Sequence, residues 1–286
     1  MNARVSIANG LHRGGIELHQ TVRSVRECLT HVINVAIFIA VAMWRSGTVK
    51  GSDIPISTMV LAGEVAAVIV SSAWTTLPQI MATERQDGTL LRLRGIPHAT
   101  SAYVLAKTLH TSVIAVTSAL ALLFVGAGVN GSGLPHSAQG WMTLGWVLFL
   151  GLAAVVPIGT AIGASLPNAR GAVALLMMPV FALMAVSGVF FPVTSMPSWL
   201  QTIAEIFPLK WLAQGIRSAT MPDSALIAET GHSWQHWQTA GVLTAWAIAG
   251  FIIAPAILRG TTRRESGARL AAGQQPSQRS PQGSLR

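Results

Sequence analysis

The chain has 286 residues, of which 51% are hydrophobic and only 10% are charged. A soluble domain usually carries about a quarter charged residues, so this composition excludes an ordinary water-soluble protein and predicts an integral membrane protein. The single cysteine, Cys28, excludes an internal disulfide framework and a cysteine-built metal site. The first 27 residues are polar and lack the early apolar stretch of a cleavable signal peptide, so we expect none.

The first predicted element is an amphipathic helix over residues 16–29, most of which lies in a cytoplasmic N-terminal segment, residues 1–27. The apolar positions that share one helical stripe are Leu18, Val22, Val25 and Leu29. A helix of this kind can lie in the plane of the lipid headgroups before the chain turns into the membrane. A simple membrane anchor and a contact with a partner protein both fit the pattern.

Six apolar segments follow, and each is close to the roughly 20 residues that a helix needs to cross the hydrocarbon. They cover about 28–44, 56–80, 101–128, 141–166, 171–191 and 239–258. We therefore predict an all-α membrane protein with six transmembrane helices in a domain spanning residues 28–258. Residues 259–286 are rich in Arg, Gln, Ser, Gly and Pro, which favours a disordered cytoplasmic tail.

The 19 Lys and Arg residues are distributed unevenly between the two sides of this predicted domain. Fourteen lie in the N-terminal segment, the tail, or the connections after the second and fourth spans, and a fifteenth, Lys107, lies just inside the third span on the same side. The other side receives Arg45, Lys50, Lys210 and Arg217. The positive-inside rule then places both termini in the cytoplasm. Topology thus accounts for the net charge of +9, and we expect no nucleic-acid partner.

A dense polar stretch, residues 84–97 (ERQDGTLLRLRGIP), separates the second and third spans. Gly88 offers a break, Thr89 can cap a short helix, and Pro97 closes it. A short amphipathic helix projecting from the membrane suits a groove on another protein. An ordinary positive-inside loop would need only the arginines, so the pattern alone leaves both interpretations open.

A second irregular region follows the fifth span. Pro192, Pro197 and Pro208 divide residues 187–221 into amphipathic pieces of about ten residues, too short to cross the membrane. Broken helices at membrane depth need shielding by protein or by a water-filled cavity. We therefore expect a re-entrant or interfacial helical element, about residues 192–221, on the outer face between spans five and six.

These two elements resemble the permease subunit of type-2 ABC transporters, particularly the bacterial drug-export branch typified by daunorubicin-resistance permeases. That family shows Glu-Arg-x-x-Gly-Thr-Leu-x-x-Leu-Arg after the second span, matched here by Glu84, Arg85, Gly88, Thr89, Leu90, Leu93 and Arg94. It also shows Ser-Gly-x-x-Phe-Pro at the end of span five, matched by Ser187, Gly188, Phe191 and Pro192. Further matches are Pro197, Trp199 and Leu200, then Pro208, Leu209 and Leu212.

The resemblance implies an all-helical permease that works with a second permease copy or paralogue and two separate ABC ATPase subunits. Residues 84–97, with Asp87 among the motif residues above, would contain the coupling helix that docks on the ATPase. Residues 192–221 would cap the outer end of a pathway for an amphipathic or lipid-like substrate, in a bacterial cytoplasmic membrane. The pathway candidates are Glu64, Phe191, Pro192, Glu205 and Pro208.

Several functional alternatives remain at the level of sequence. The chain contains no Gly-Lys dipeptide and hence no phosphate-binding loop, so we expect no bound cofactor, no enzymatic activity, and ATP hydrolysis on another chain. Glu64 lies inside the second span and either lines the pathway or is buried in helix packing. A lipid or polysaccharide exporter of the same family is an alternative. A membrane-embedded enzyme would need clustered His, Asp or Glu, and an ion-coupled secondary transporter would need paired broken helices.

Overall fold

The computed structural model describes residues 2–44, 46–49, 51–89, 99–166 and 169–273, and these residues form helices and no β-strand. At one end of the bundle lie α1 (Asn2–Arg23), the start of α2 (Val25–Trp44), the end of α4 (Leu77–Gln86) and the start of α5 (Ala99–Asn130). We call it the basic end. The opposite, loop end carries residues 46–49, 51–55, 131–137 and 187–235.

The longer helices α3 (Ile56–Ser71), α6 (Ala138–Ser165), α7 (Ala169–Val186) and α10 (His236–Gly273) run between these two ends. The shorter helices α8 (Ser198–Ile206) and α9 (Pro208–Thr220) belong to the loop end. A π-helical turn, Ser72–Thr76, joins α3 to α4, so that one continuous rod runs from residue 56 to residue 86. This rod packs against α5, α6 and α9, and α6 packs against α10.

Five described helices are long and apolar enough to cross a membrane, at residues 25–44, 56–86, 101–130, 138–165 and 236–258. They correspond to five of the six predicted spans. The remaining prediction, 171–191, falls on α7, which ends at Val186 and whose described apolar stretch is Ala174–Val186. The helix stops early because Ser187 begins a turn and Gly188 has a φ of +77°, a conformation that glycine adopts without strain.

Both chain termini depart from the predicted boundaries. The break between α1 and α2 falls at Ser24 rather than after residue 27, and α1 extends back to residue 2. The predicted disordered tail begins at residue 259, but α10 continues as a helix to Gly273. Residues 274–286 of that tail lie outside the described part of the chain.

Glycines bring α6 unusually close to the π-helical turn. A Cβ placed on Gly159 would lie 1.9 Å from the carbonyl oxygen of Ala73, and one on Gly163 would lie 3.0 Å from the Cα of Pro78. Small residues spaced four apart allow this kind of backbone contact between membrane helices. The Trp74 indole Nε1, in the π-helical turn, donates to the carbonyl oxygen of Val155 of α6 at 2.9 Å. This hydrogen bond also holds the turn against α6.

We predict that Gly159→Ala destabilises the protein, since the added methyl meets backbone atoms rather than a movable side chain. Overpacking typically costs about 1–3 kcal/mol. Gly145, on the same helix, faces open space, and Gly145→Ala should be neutral or slightly stabilising. Thermal unfolding of the purified protein in detergent measures both, and equal midpoints for the two variants would contradict this packing.

Candidate functional site

The predicted Glu-Arg motif lies at the C-terminal end of α4, where Arg85 binds α6. Its Nη1 donates to the carbonyl oxygen of Leu166 at 2.8 Å and its Nη2 to that of Ala164 at 2.7 Å. The last carbonyls of a helix have no partner within the helix, so a forked guanidinium is well suited to satisfy two of them. Arg85 therefore ties the end of α4 to the end of α6.

Glu84, the neighbouring residue, belongs to a chain of alternating charges that links three helices. Lys107 on α5 lies 2.5 Å from Glu84 and 3.0 Å from Glu17 on α1, and Arg13 lies 3.1 Å from Glu17. The guanidinium of Arg13 and the ammonium of Lys107 also face the ring of Tyr103, at 5.2 and 5.8 Å from its centre. Because Lys107 is almost completely buried, removing either carboxylate would leave part of a buried charge uncompensated.

The described segment, residues 51–89, includes Asp87 and Gly88 of the motif but ends before Leu90. Asp87 caps α4, and Gly88 follows with a φ of +75°, the left-handed conformation that commonly ends a helix at glycine. The break expected at Gly88 is therefore present. Leu90, Leu93 and Arg94 lie outside the described residues, as does the predicted short helix up to Pro97. Glu84 and Arg85 bind residues of α5 and of the end of α6. These bonds fix the position at which the segment after α4 leaves the helical bundle.

The helices of the second irregular region begin at the predicted prolines. Pro192 precedes a 3-10 turn, Pro197 precedes α8, and Pro208 is the first residue of α9. Pro208 is buried, Phe191 is 44% exposed, and Pro192 is half-buried. The carboxylate of Glu205 lies 4.0 Å from the Lys210 ammonium, within the range of an ion pair but too far for a hydrogen bond.

Helix α9 places a polar stripe inside the protein at the loop end. Lys210, Gln214 and Arg217 recur at helical spacing and are all buried. The loop of residues 222–235 covers this stripe: the amide nitrogen of Gln214 donates to the carbonyl oxygen of Ser233 at 3.0 Å. This loop therefore supplies hydrogen-bond partners that the hydrocarbon could not.

The principal contact under this loop is a buried ion pair between Arg217 and Glu229. Both side chains are about 1% exposed, two guanidinium nitrogens donate to the two carboxylate oxygens, and Nη1 also donates to the carbonyl oxygen of Gly188. The pair thus connects α9, the loop of residues 222–235 and the end of α7. From the sequence, Arg217 entered only the predicted distribution of charges between the two sides, and Glu229 was not predicted as its partner. The i, i+4, i+7 spacing of the polar residues on α9 was the available signal.

Glu64 occupies a different position, within α3. Its side chain is fully buried, and neither carboxylate oxygen has a hydrogen-bond partner within the described part of the chain. Of the predicted pathway residues, Phe191, Pro192, Glu205 and Pro208 belong to the loop-end element, whereas Glu64 lies in the central rod. No group of three or more His, Cys, Asp or Glu that could hold a metal ion occurs among the described residues.

An apolar groove of about 430 Å³ lies where the π-helical turn, α7 and α8 meet. Every side chain that lines it is apolar, and the main contributors are Trp74, Leu176, Pro179, Leu183, Ile203 and Phe207. Phe207 stacks on Trp246 of α10 with 6.2 Å between ring centres. The groove therefore presents a continuous hydrophobic wall beside the irregular loop-end element.

Comparison with known proteins settles the family. Residues 25–221 match the sequence model of the ABC-2 type transporter. The chain belongs to this family. The match runs from the start of α2 to the end of α9, so the ABC-2 domain includes the Glu84–Arg85 anchor, the apolar groove and Arg217, whereas Glu229 lies eight residues beyond the matched segment. None of the curated proteins matches the chain. The chain is therefore the multi-pass membrane permease of an ABC transporter.

We predict that Glu229→Ala strongly destabilises this ABC-2 permease, because it leaves the Arg217 guanidinium buried without its counter-ion. Breaking a buried pair costs about 3–5 kcal/mol, whereas replacing both partners by apolar residues is often tolerated. The double variant Arg217→Met/Glu229→Leu should therefore unfold at a higher temperature than Glu229→Ala alone. Asp223→Ala, which removes only an exposed bond to Trp234, is the control. If Glu229→Ala melts like that control, the pair has no stabilising role.

Proposed function

We propose that this permease forms the membrane half of an ATP-driven exporter for an amphipathic substrate. Two permeases would face each other, each engaging one cytoplasmic ATPase subunit through the segment after α4. The observation that carries this proposal is the attachment of that segment: α4 is continuous with the central rod and ends at the anchored Glu84–Arg85 pair. A push on the segment would reach the membrane core through one stiff element.

The contacts of the central rod with its neighbouring helices would transmit such a displacement through the bundle. Arg85 joins the end of α4 to α6, and Glu84 joins it through Lys107 to α5 and α1. Displacement of residues 87–97 would therefore move the rod together with its neighbours at the basic end. Because the rod also packs against α9, the movement would be transmitted to the loop end. Gly88, with its positive φ, fixes the angle at which the segment leaves the rod.

The lining of the groove supports an amphipathic substrate. Its walls are wholly apolar, so an aromatic or aliphatic part of a ligand could enter without leaving buried polar groups unpaired. A second permease would supply the opposite wall, since α7 presents exposed apolar side chains beside the groove, among them Leu175, Met178 and Phe181. The substrate is expected to be a drug or antibiotic, which agrees with the family branch that the sequence motifs resemble. The setting would be a bacterial cytoplasmic membrane with both termini inside.

A lipid or lipid-linked polysaccharide exporter is the alternative within the same family. The same apolar groove would then hold acyl chains instead of a compact drug. Stimulation of ATP hydrolysis separates the two possibilities: compact amphipathic drugs activate a drug exporter at concentrations that leave a lipid exporter unchanged.

We predict that the permease co-purifies from membranes with an ABC ATPase and that Leu90→Glu/Leu93→Glu abolishes this association. Two acidic side chains would replace the apolar face of the segment that is expected to occupy an ATPase groove. Trp199→Glu makes an equally drastic change at an exposed position of α8, at the opposite end, and should retain the ATPase. Purification in mild detergent followed by mass spectrometry measures the association.

The exporter proposal fails if the unmodified permease is recovered without an ATPase. It also fails if deletion of the permease leaves ATP hydrolysis in the membrane unchanged. Loss of the ATPase in both variants would contradict docking through residues 84–97, because the change at the loop end would then be as disruptive as the change in the segment.

Phe207 forms one wall of the apolar groove that we propose as the drug site. Phe207→Ala removes an aromatic wall and should weaken the stimulation of ATP hydrolysis by amphipathic drugs by about tenfold in half-maximal concentration, the equivalent of ~1.4 kcal/mol. Phe149→Ala, at a 72% exposed position of α6, should leave the dose response unchanged. Equal responses in the two variants would place the drug site elsewhere.

A further inference from the structure

A large polar crevice opens among α1, α2, the central rod and α5 at the basic end. Its volume is about 890 Å³, far more than the space that single water molecules require. Most of its lining is polar or ionisable, which is unusual in a chain with only 10% charged residues. The deepest polar groups on the three long helices are Asn34 on α2, Ser71 and Ser72 on the rod, and Ser118 on α5.

The crevice extends far into the bundle. Along α2 its lining runs from Arg26 to Asn34, and along α5 from Lys107 to Ser118. At 1.5 Å per residue these intervals measure about 12 and about 16 Å. The hydrocarbon of a bilayer is about 30 Å thick, so the crevice brings polar side chains to approximately the middle of the membrane.

The crevice ends one helical turn short of Glu64. Val68 lines its inner end and is buried, and Glu64 precedes Val68 by four residues on the same face of α3. The axial separation is therefore about 6 Å. The turns of α3 on both sides of Glu64 are buried and apolar: Val65, Ala66 and Ala67 toward the crevice, and Met59, Val60 and Leu61 toward the loop end. The asymmetry comes from the crevice, which approaches Glu64 to within one helical turn from the basic end.

We propose that Glu64 is a proton-binding site, and that the crevice is the water-filled path that delivers protons to it from the basic end. A buried carboxylate without a hydrogen-bond or charge partner is costly, whereas the neutral acid can be accommodated. A proton needs only this single carboxyl group. A metal cation would need several oxygen ligands, and the described part of the chain offers no such cluster.

The charged groups around the path do not compensate Glu64. Those lining the crevice lie at its mouth and along its walls: Arg13, Glu17, Arg26, Glu27, His31, Glu84, Lys107 and His110. On the opposite face of α3, helix α9 carries Lys210 and Arg217, which are engaged by Trp211, Glu205 and Gln235, and by Glu229. The histidines, His31 and His110, lie nearer the mouth and are the groups that could pass protons inward.

Thiol labelling tests the path. In a Cys28→Ser background, Ser118→Cys places a thiol at the inner part of the crevice, and Val32→Cys places one on α2 at a position 64% exposed on another face. A membrane-impermeant, thiol-reactive reagent is added to one side of the membrane at a time, and the tail side is identified as the side on which protease removes the Arg-rich tail. The reagent should modify Ser118→Cys from the tail side. It should leave Val32→Cys unmodified. Modification of Ser118→Cys from the other side only, or from neither side, would overturn the water-filled path.

Carbodiimide labelling tests the site itself, since a hydrophobic carbodiimide forms a stable adduct with a protonated carboxyl group in an apolar environment. The unmodified permease in sealed vesicles is treated with dicyclohexylcarbodiimide while the pH is varied separately on each side. The adduct, located by mass spectrometry, should form at Glu64. It should diminish as the pH is raised on the tail side and should not respond to the pH on the other side.

Two variants make the result unambiguous. Glu64→Gln should lose the adduct while retaining its thermal unfolding midpoint, and Ser71→Phe/Ser118→Phe should slow the response to tail-side pH by filling the crevice. An adduct that follows the pH of the opposite side, one that follows neither, or no adduct in the folded protein would each overturn the proposal. None of these results depends on an ATPase, so failure here is distinguishable from failure of the exporter proposal, which co-purification tests.

Discussion

The backbone contact between Gly159 and Ala73 is the constraint on which the rest of the bundle depends. The central rod changes from α to π geometry at this level, and the absence of a side chain at residue 159 lets α6 lie directly against the turn. Trp74 is then able to bond the backbone of α6, while the opposite side of the rod remains free to line the polar crevice. π-Turns of this kind often mark functional sites because they rotate the following residues relative to the preceding helix. Here the turn separates a wholly apolar groove from a polar one.

The buried charges at the two ends of the bundle are paired. At the basic end, Lys107 bridges Glu17 and Glu84 and thereby links α1, α4 and α5. At the loop end, Arg217 and Glu229 join α9 to the loop of residues 222–235. Such pairs add little net stability against apolar replacements, but losing one partner is expensive. They therefore specify which elements must move together more than they stabilise the fold. Glu64 differs from these paired carboxylates, because neither of its oxygens has a hydrogen-bond partner among the described residues.

Much of this organisation was predictable because it depends on local sequence. Apolar length located five spans, and the prolines at 192, 197 and 208 correctly marked helix starts. Gly88 was correctly expected to interrupt the chain. Pairings between distant residues were not predictable: Glu84 and Lys107 are 23 positions apart, and nothing in a helical pattern selects that partner. The π-turn and the crevice are likewise products of tertiary packing, since serines and threonines at helical spacing would equally suit a lipid-facing or a buried surface.

Helix α10 has a consequence for assembly that its hydropathy does not reveal. It continues for fifteen residues beyond the predicted membrane boundary at residue 258, a distance of about 22 Å for a regular helix. This arginine-bearing extension of α10 emerges at the same end as the segment after α4. Any folded domain that binds the permease at the basic end must leave space for the extension or pack against it. The C-terminal helix would then restrict sterically the orientations in which a partner can dock. Steric exclusion, as well as direct contact, would determine the geometry of docking.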